Sequence, residues 1–403
     1  MLNGKSVLLG ISGGIAAYKA AELVRLLVKD GASVHVVMTA NAQQFIAPLT
    51  FQALTGNPVG TDLFNLEYES QIGHIHLARA ADLVILAPAT ANLIAKMAAG
   101  IADDYLTTIL LATTVPILVC PAMNVKMYEH RTTQRNLASL REFNTHILEP
   151  EVGELACKEE GAGRLIELSV IVETARHLLT PASLEGKRVL VSAGPTWEPF
   201  DPVRFISNPS SGKMGYALAS VAYRRAAEVY LVAGPSSLPP PHGVHFQRVT
   251  TAYEMRDVIM GHAPQMDVIV MAAAVGDYRP IAIAPQKLKK LQDEVNVTLV
   301  KNPDILGHLG ASRGVSGRPI LIGFAAETEN LIENATEKLI QKNLDFIVAN
   351  NLIQAGSGFG CDTNQVKIID RKGIVTELPP LTKEEVAGRV FDRIEALLKI
   401  TEP

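Results

Sequence analysis

The stretch "SNPSSGKMG", residues 207–215, gathers glycine, lysine and hydroxyls ahead of a helical pattern, which are the ingredients of a phosphate cradle. A P-loop requires G-x-x-x-x-G-K-[ST]. Here Met214 follows Gly212-Lys213, Ser207 holds the first glycine position, and the hydroxyl that would ligate magnesium is missing. An ordinary ATPase loop is therefore excluded, and the meaning of the stretch must come from its surroundings.

The first half carries further candidates. "GISGGIAAYK" offers Gly10, Gly13 and Gly14 at the start of a helical pattern. This is not the G-x-G-x-x-G dinucleotide fingerprint, and "VHVVMT" ends without the acid that would hold a ribose. Backbone amides there can still meet an anion at a helix N-terminus, so the stretch reads either as a plain tight turn or as a mononucleotide site of the FMN type. In "APATANLIAK", Thr90 and Asn92 either hydrogen-bond a phosphate or a flavin edge, or cap the helix that follows. "PAMN" sets Asn124 at a strand tip, where its amide can grip a carboxylate or an amide. In "GHIHL", His74 and His76 would share a face if the stretch is a strand, but no third metal ligand lies near them in sequence. "ELACKEEGAGRL" places Cys157 in a polar loop beside Lys158, where a cation favours thiolate. Cys120 lies inside an apolar strand and reads as core. Cys361 shows no role.

The elements that must position these residues follow one grammar, twice. "KSVLLGIS", "ASVHVVMT", "ADLVILAP" and "VPILVCPA" are short apolar strands separated by helical patterns such as "NLIAKMAAGIADDYLTTILLAT". Continuous Val/Ile/Leu runs alternating with helices indicate a parallel sheet covered on both faces. The pattern breaks at "LLTPASLEGK" and restarts with "KRVLVSAGPT", "EVYLVAGP", "MDVIVMAAAVGDYRP", "VNVTLVK", "RPILIGFAAET", "DFIVANN" and "NQVKIID". "KEEVAGRVFDRIEALLKI" is a closing helix. The expected fold is α/β: two doubly wound, Rossmann-like parallel-sheet domains, about 1–180 and 187–403. Such sheets bind ligands at the carboxyl ends of their strands, which is where the candidates lie.

Composition narrows the classes. The 403 residues are 48% hydrophobic and 19% charged, with a net charge of −4 and no long basic run, which disfavours nucleic acid as a partner. Three cysteines lie far apart without a C-x-x-C pair, which fits reduced thiols rather than a disulfide frame or a zinc site. The N-terminus lacks a signal-peptide core, and no apolar run reaches the ~18 residues of a membrane span. A cytoplasmic location is expected.

Taken in order, "SGGIAAYK", "GHIHL", "APATAN", "PAMN", Cys157 before "GAGR", "SAGPTWEPFDPVRFISNPSSGKMG", "AAAVGDYRP", "KLKK", "KNPDIL" and "GFAAET" run nearly the whole chain. This set resembles the bacterial bifunctional phosphopantothenoylcysteine decarboxylase/phosphopantothenate–cysteine ligase family of coenzyme A synthesis. The resemblance implies a flavodoxin-like FMN-dependent decarboxylase followed by a CTP-dependent ligase. It implies 4′-phosphopantothenate, cysteine and CTP as substrates, Mg2+ with the triphosphate, and a homo-oligomer built on trimers of the first domain.

The resemblance also implies residue roles. His74 is a base or a substrate-positioning group, Asn124 grips the substrate carboxylate, and Cys157 donates a proton. Gly13, Gly14, Thr39, Thr90, Asn92 and Met123 match FMN-binding positions. Lys158 stands where the family carries glycine. In the second half, Asn208 handles the acyl-cytidylate, with Ser210, Ser211 and Gly212 beside it. Ala272, Ala273, Asp277, Pro303, Asp304, Ile305, Leu306 and Phe324 match CTP-binding positions. Lys287, Lys338 and Lys342 match triphosphate-binding lysines. From the residues alone, Lys338 and Lys342 read equally as a solvated i, i+4 helix face. Two other readings compete: a two-domain dinucleotide-dependent oxidoreductase, which the missing fingerprint disfavours, and a non-catalytic flavoprotein, which His74, Asn124 and Cys157 disfavour.

Overall fold

The computed structural model describes residues 1–63, 73–143, 145–154, 158–289, 296–314, 317–327, 329–351 and 361–401. Cys157 and Lys290 of "KLKK" lie outside the described residues. The chain forms two compact units, Met1–Thr180 and Pro181–Pro403.

In the first unit, five strands form one sheet: β1 (Ser6–Ile11), β2 (Ser33–Met38), β3 (Leu83–Ala89), β4 (Ile117–Pro121) and β5 (Thr145–Ile147). Their order is β2-β1-β3-β4-β5, and every pairing is parallel. The order reverses between β1 and β3, the switch point at which such sheets open a crevice. Side chains alternate across the sheet. Val7, Leu9 and Ile11 enter one core with the helices Lys19–Lys29 and Leu168–Leu179. Leu8 enters the other with Ala91–Ala99 and Tyr105–Ala112. The helical stretch after β3 breaks at Gly100, which takes a left-handed φ of 67°. It restarts where Asp104 and Thr107 form a capping box, each side chain bonding the other's backbone amide. A hairpin of β6 (Glu151–Glu154) and β7 (Glu160–Arg164) follows β5.

His74 and His76 are not on a strand. They open the helix His74–Ala80, whose Leu77 and Ala78 are buried. Two residues apart on a helix are about 200° apart around its axis, so the shared-face pairing is lost. Among the described residues no group of three His, Cys, Asp or Glu is placed to hold a metal.

The second unit is built on β8 (Arg188–Ala193), β11 (Glu228–Ala233), β12 (His245–Arg248), β13 (Val268–Met271), β16 (Ile320–Glu327), β17 (Phe346–Asn351), β19 (Val366–Asp370) and β20 (Val375–Glu377). They form one eight-stranded sheet in the order β12-β11-β8-β13-β16-β17-β19-β20. The six strands from β12 to β17 are parallel; β19 pairs antiparallel with β17 and β20 antiparallel with β19, so β19 alone runs against the other seven. The sheet is therefore mixed rather than wholly parallel. The four residues between β19 and β20 allow only an antiparallel return, closed where Gly373 N–H donates to Asp370 with φ of 76°. Small pairs stand outside this sheet: β9 (Trp197–Pro199) with β10 (Phe205–Ser207), β14 (Tyr278–Pro280) with β15 (Leu299–Lys301), and β18 (Thr363–Asn364) with β21 (Leu381–Thr382). One face of the sheet packs on the helices Lys213–Arg224 and Lys383–Thr401, the other on Ala252–His262, Ile305–Ser312 and Leu331–Gln341. The Pro/Ser/Gly stretch before Lys187 packs with this unit. Leu184 is fully buried there, and its N–H donates to Arg225.

Candidate functional site

In the first unit the candidates gather where the strands end. Ser12 follows β1 and is buried; its hydroxyl donates to Pro88 C=O at 2.7 Å and accepts from Thr90 N–H at 2.9 Å. One side chain thus ties the loop after β1 to the loop after β3. Gly13 is required by space, because a Cβ there would sit 2.3 Å from Asn41 Cβ and 2.7 Å from its carbonyl carbon. Gly14 is not so confined; a Cβ would meet Thr90 Cγ2 at 3.5 Å, an ordinary contact. Thr39 follows β2, and its hydroxyl accepts from Ala42 N–H at 3.2 Å. Thr90 caps the helix Ala91–Ala99, while Asn92 on its first turn is exposed. The cap and the binding role remain compatible for Thr90, since its hydroxyl–Leu93 contact is long at 3.4 Å.

After β4, Met123 N–H donates to Gly163 C=O at 3.0 Å, which lays β7 over the strand end. Asn124 Oδ1 accepts from Lys126 N–H at 2.8 Å, and Asn124 Nδ2 donates to the Glu159 carboxylate at 2.6 Å. A carboxylate therefore already sits on this amide. His74, half-buried, starts the helix that leads down to the first residue of β3, so it lies at the helix end nearer the strands' carboxyl edge. Burial pushes the Cys120 thiol well above its ordinary value, which agrees with an inert core cysteine.

Lys158 has a φ of 64°. A side chain in this left-handed region costs roughly 1 kcal/mol that glycine does not incur. Lys158→Gly is accordingly expected to raise the thermal midpoint of the first unit by about 2–4 °C, read by calorimetry. An unchanged or lower midpoint would show that the strain is offset by contacts of the lysine.

In the second unit a cavity of about 850 Å³ lies over the carboxyl ends of β13, β16 and β17, beside the loop that opens the helix Lys213–Arg224. Its floor begins at Gly212, the N-cap of the helix Lys213–Arg224, with a φ of 82° that favours glycine. Gly215 lets that helix press on β8; a Cβ would be 2.4 Å from Ala193 Cβ. Asn208 joins this loop to the loop after β13, its Nδ2 donating to the carbonyls of Ala274 at 3.2 Å and Val275 at 3.1 Å. Ser192 and Thr196 hold the same loop by accepting from Ala273 and Gly276 N–H. Asp304 caps the helix Ile305–Ser312 and receives Lys342 Nζ at 3.0 Å. Burial opposes its charge, but the Gly307 amide and Lys342 outweigh that and hold its carboxyl below the usual range. Lys338 pairs with Glu327 at 2.5 Å.

Asn208, Ala272, Ala273, Asp277, Pro303, Asp304, Ile305, Leu306, Phe324, Lys338 and Lys342 all line this one cavity, although the chain separates them by up to 134 positions (342 − 208). Lys287 does not line it. It sits on the exposed loop 281–289, whose Leu288 N–H donates to Asp201. Sequence reasoning overlooked Lys213, Asn302, Asn364 and Lys383. Lys213 and Asn302 lay within quoted motifs and could have been found; Asn364 and Lys383 have no local signature. Asn302 Nδ2 donates to Gly276 C=O, while its Oδ1 is buried with no hydrogen-bond partner.

Asp201 anchors the segment carrying Lys287. Its side chain is fully buried and accepts from Arg204 Nε and from the amides of Val203, Arg204 and Leu288. The Arg204 guanidinium, chiefly, holds the Asp201 carboxyl well below the ordinary carboxylate range; burial opposes this and the three amides add to it. A depressed carboxylate contributes stability above its unfolded value near ~4 and loses it as pH falls from there toward the folded value. Asp201→Asn is therefore expected to flatten the acid-side loss of second-unit stability in urea titrations below about pH 4. An unchanged pH slope would assign that loss to other groups.

Residues 1–180 match the Flavoprotein family, and residues 184–398 match the DNA/pantothenate metabolism flavoprotein C-terminal domain family. The chain is 47% identical over 399 residues to the coenzyme A biosynthesis bifunctional protein CoaBC of Vibrio parahaemolyticus, covering 98% of this chain and 99% of the relative. It is 47% identical over 405 residues to that of Bacillus subtilis, covering 100% and 99%. It is 46% identical over 394 residues to that of Escherichia coli K12, covering 97% and 96%.

Proposed function

The chain belongs to the family of bifunctional coenzyme A biosynthesis proteins, and from that premise we propose how its own residues divide two reactions between its two units. It is an enzyme with phosphopantothenoylcysteine decarboxylase activity in the flavoprotein unit and phosphopantothenate–cysteine ligase activity in the C-terminal unit.

Ligation faces one obstacle: a carboxylate has no leaving group but oxide. In the proposed route the carboxylate of 4′-phosphopantothenate attacks the α-phosphorus of CTP. A C–O–P anhydride forms and pyrophosphate leaves. The cysteine amine then attacks the acyl carbon, a C–N bond forms, a proton is lost and CMP departs. Asn208 with Ser210, Ser211 and Gly212 holds the acyl-cytidylate. Ala272, Ala273, Asp277, Phe324 and the stretch Pro303, Asp304, Ile305, Leu306 take the cytidine. Lys338 and Lys342 face the triphosphate, and Lys287 approaches it from its loop. The described residues offer no preformed cage for a divalent ion, so Mg2+ would enter with the triphosphate and neutralise part of its charge. The observation that carries this reading is the convergence of these distant residues on one cavity of about 850 Å³.

Decarboxylation is assigned to the strand ends of the first unit. Gly13, Gly14, Thr39, Thr90, Asn92 and Met123 would hold FMN. The fit is steric: Gly13 leaves no room for a side chain against Asn41, and Ser12 fixes the two loops on either side of the switch point. Bound flavin supplies a reversible two-electron oxidation at the CH2–SH carbon, which gives the carbanion left by CO2 a sulfur to delocalise into. Asn124 grips the departing carboxylate, a place the Glu159 carboxylate now fills. His74 positions the substrate or accepts its proton, and Cys157 returns a proton to the enethiolate.

We further propose a homo-oligomer built on trimers of the first unit. The exposed apolar side chains Ile15, Tyr18, Phe45 and Leu49 support it. Among the described residues no helix is long and apolar enough to cross a membrane, and the thiols of Cys120 and Cys361 are free. The free thiols fit a reducing cytoplasm. The purified chain is expected to show flavin absorption bands and to release pyrophosphate with CTP in preference to ATP when both co-substrates are present. A colourless protein that binds no added FMN, or equal use of ATP, would overturn the respective assignment.

A further inference from the structure

Five lysines line the cavity of the second unit: Lys213, Lys301, Lys338, Lys342 and Lys383. Three of them have a carboxylate partner: Lys213 with Asp362, Lys338 with Glu327 and Lys342 with Asp304. Lys301 is exposed and solvated. Lys383 differs from all four. It is only 9% exposed, and among the described residues its one side-chain hydrogen bond runs to a neutral acceptor, Asn364 Oδ1, at 3.2 Å. Among the described residues no carboxylate lies within ion-pair distance of its ammonium. An ammonium carries three N–H donors and is costly to bury without a counter-charge. Two donors remain, and the cavity that Lys383 lines is where they can be used.

The surroundings indicate what would use them. Asn364 Nδ2 also contacts Met214 Sδ, which sets Lys383 beside the start of the helix Lys213–Arg224. That twelve-residue helix has Gly212 as its N-cap and carries no acid in its first turn; the Gly212 and Lys213 amides donate only at 3.3 and 3.5 Å to the Ser210 and Ser211 hydroxyls, long contacts that an anion can replace. Lys213 adds a second cation next to Lys383, held by the exposed Asp362 carboxylate, which a phosphate would have to displace. We propose that Lys383, with Lys213 and this helix end, forms a phosphate-binding subsite of the ligase cavity, on the opposite face of the sheet from Lys338 and Lys342. Burial, chiefly, holds the Lys383 ammonium below the ordinary lysine value; Cys361 and Asp362 oppose this and the Lys213 charge adds to it, and a bound phosphate dianion would offset the burial and the Lys213 charge.

This inference rests on the ligase reading of the cavity. The phosphate could come from the nucleotide triphosphate or from the phosphomonoester of 4′-phosphopantothenate, and kinetics separates the two. Lys383→Met in the full chain is expected to raise the KM of one of these substrates about tenfold or more, with the KM of cysteine and the decarboxylation rate unchanged. A raised CTP KM names the triphosphate; a raised phosphopantothenate KM names the monoester. Lys383→Arg should recover most of the loss, and inorganic pyrophosphate or phosphate should protect the wild-type second unit against heat more than Lys383→Met. Should Lys383→Met fail to fold, Lys213→Met must show the same KM split. Unchanged KM values for both phosphorylated substrates in an active enzyme would overturn the subsite alone. A wild-type chain with no nucleotide-dependent ligation would overturn the reading beneath it.

Discussion

Asn208→Asp is expected to lower CTP-dependent ligation roughly 10²–10³-fold, the range seen when one preorganised donor of an active site is lost. The wild-type amide donates to the carbonyls of Ala274 and Val275. Aspartate has no N–H to give. It would set a carboxylate against two carbonyl oxygens, and the loop after β13 would be pushed from its place. That loop carries Ala273 and Asp277, the proposed cytidine contacts. Decarboxylation of added phosphopantothenoylcysteine should stay within about twofold, because the substitution lies in the other compact unit. Both rates should be measured on one preparation. Parallel loss of both would mean that the units do not work independently.

Gly13→Val is the reciprocal experiment and should give a colourless protein with ligation intact. A Cβ at Gly13 already overlaps Asn41 at 2.3 Å, before the two methyl groups of valine are added. The turn after β1 cannot keep its place beside Asn41, and Ser12, one residue earlier, would lose its bonds to Pro88 and Thr90. Flavin content per chain, read from the visible spectrum after gel filtration, should fall at least roughly tenfold, since overpacking of this size costs several kcal/mol locally. Decarboxylation should fall with it. Full flavin occupancy in this variant would place the cofactor elsewhere.

The sheets were legible because both faces are covered. "LVILAPA" of β3 is buried at every position, so its sequence is a continuous apolar run that has no amphipathic rival. Gly212 and Asn208 were legible because a glycine-rich segment between a strand and a helix has few other uses. The element that carries His74 was left open because "GHIHL" is too short for its periodicity to separate a strand from a one-sided helix of seven residues. The reversed strand was missed because β19 has the same apolar character as the parallel strands, and its direction is set by its pairing with β17, which no local pattern reports. Lys383 opens a polar first turn with Glu384 and Glu385, which reads as a solvated helix start. Its burial comes from packing of that helix on Lys213–Arg224, 170 positions earlier (383 − 213), which no local pattern reports. Lys287 shows the converse: a motif match fixes the type of a residue but not its distance from the cavity in an exposed loop.

The most direct test of two cooperating units is stoichiometric. The purified chain, supplied with 4′-phosphopantothenate, cysteine and CTP, should form 4′-phosphopantetheine with equal amounts of pyrophosphate and CO2, and omission of CTP should stop all three. Pyrophosphate without CO2 from flavin-loaded protein, or product formation that does not depend on a nucleotide, would contradict the account.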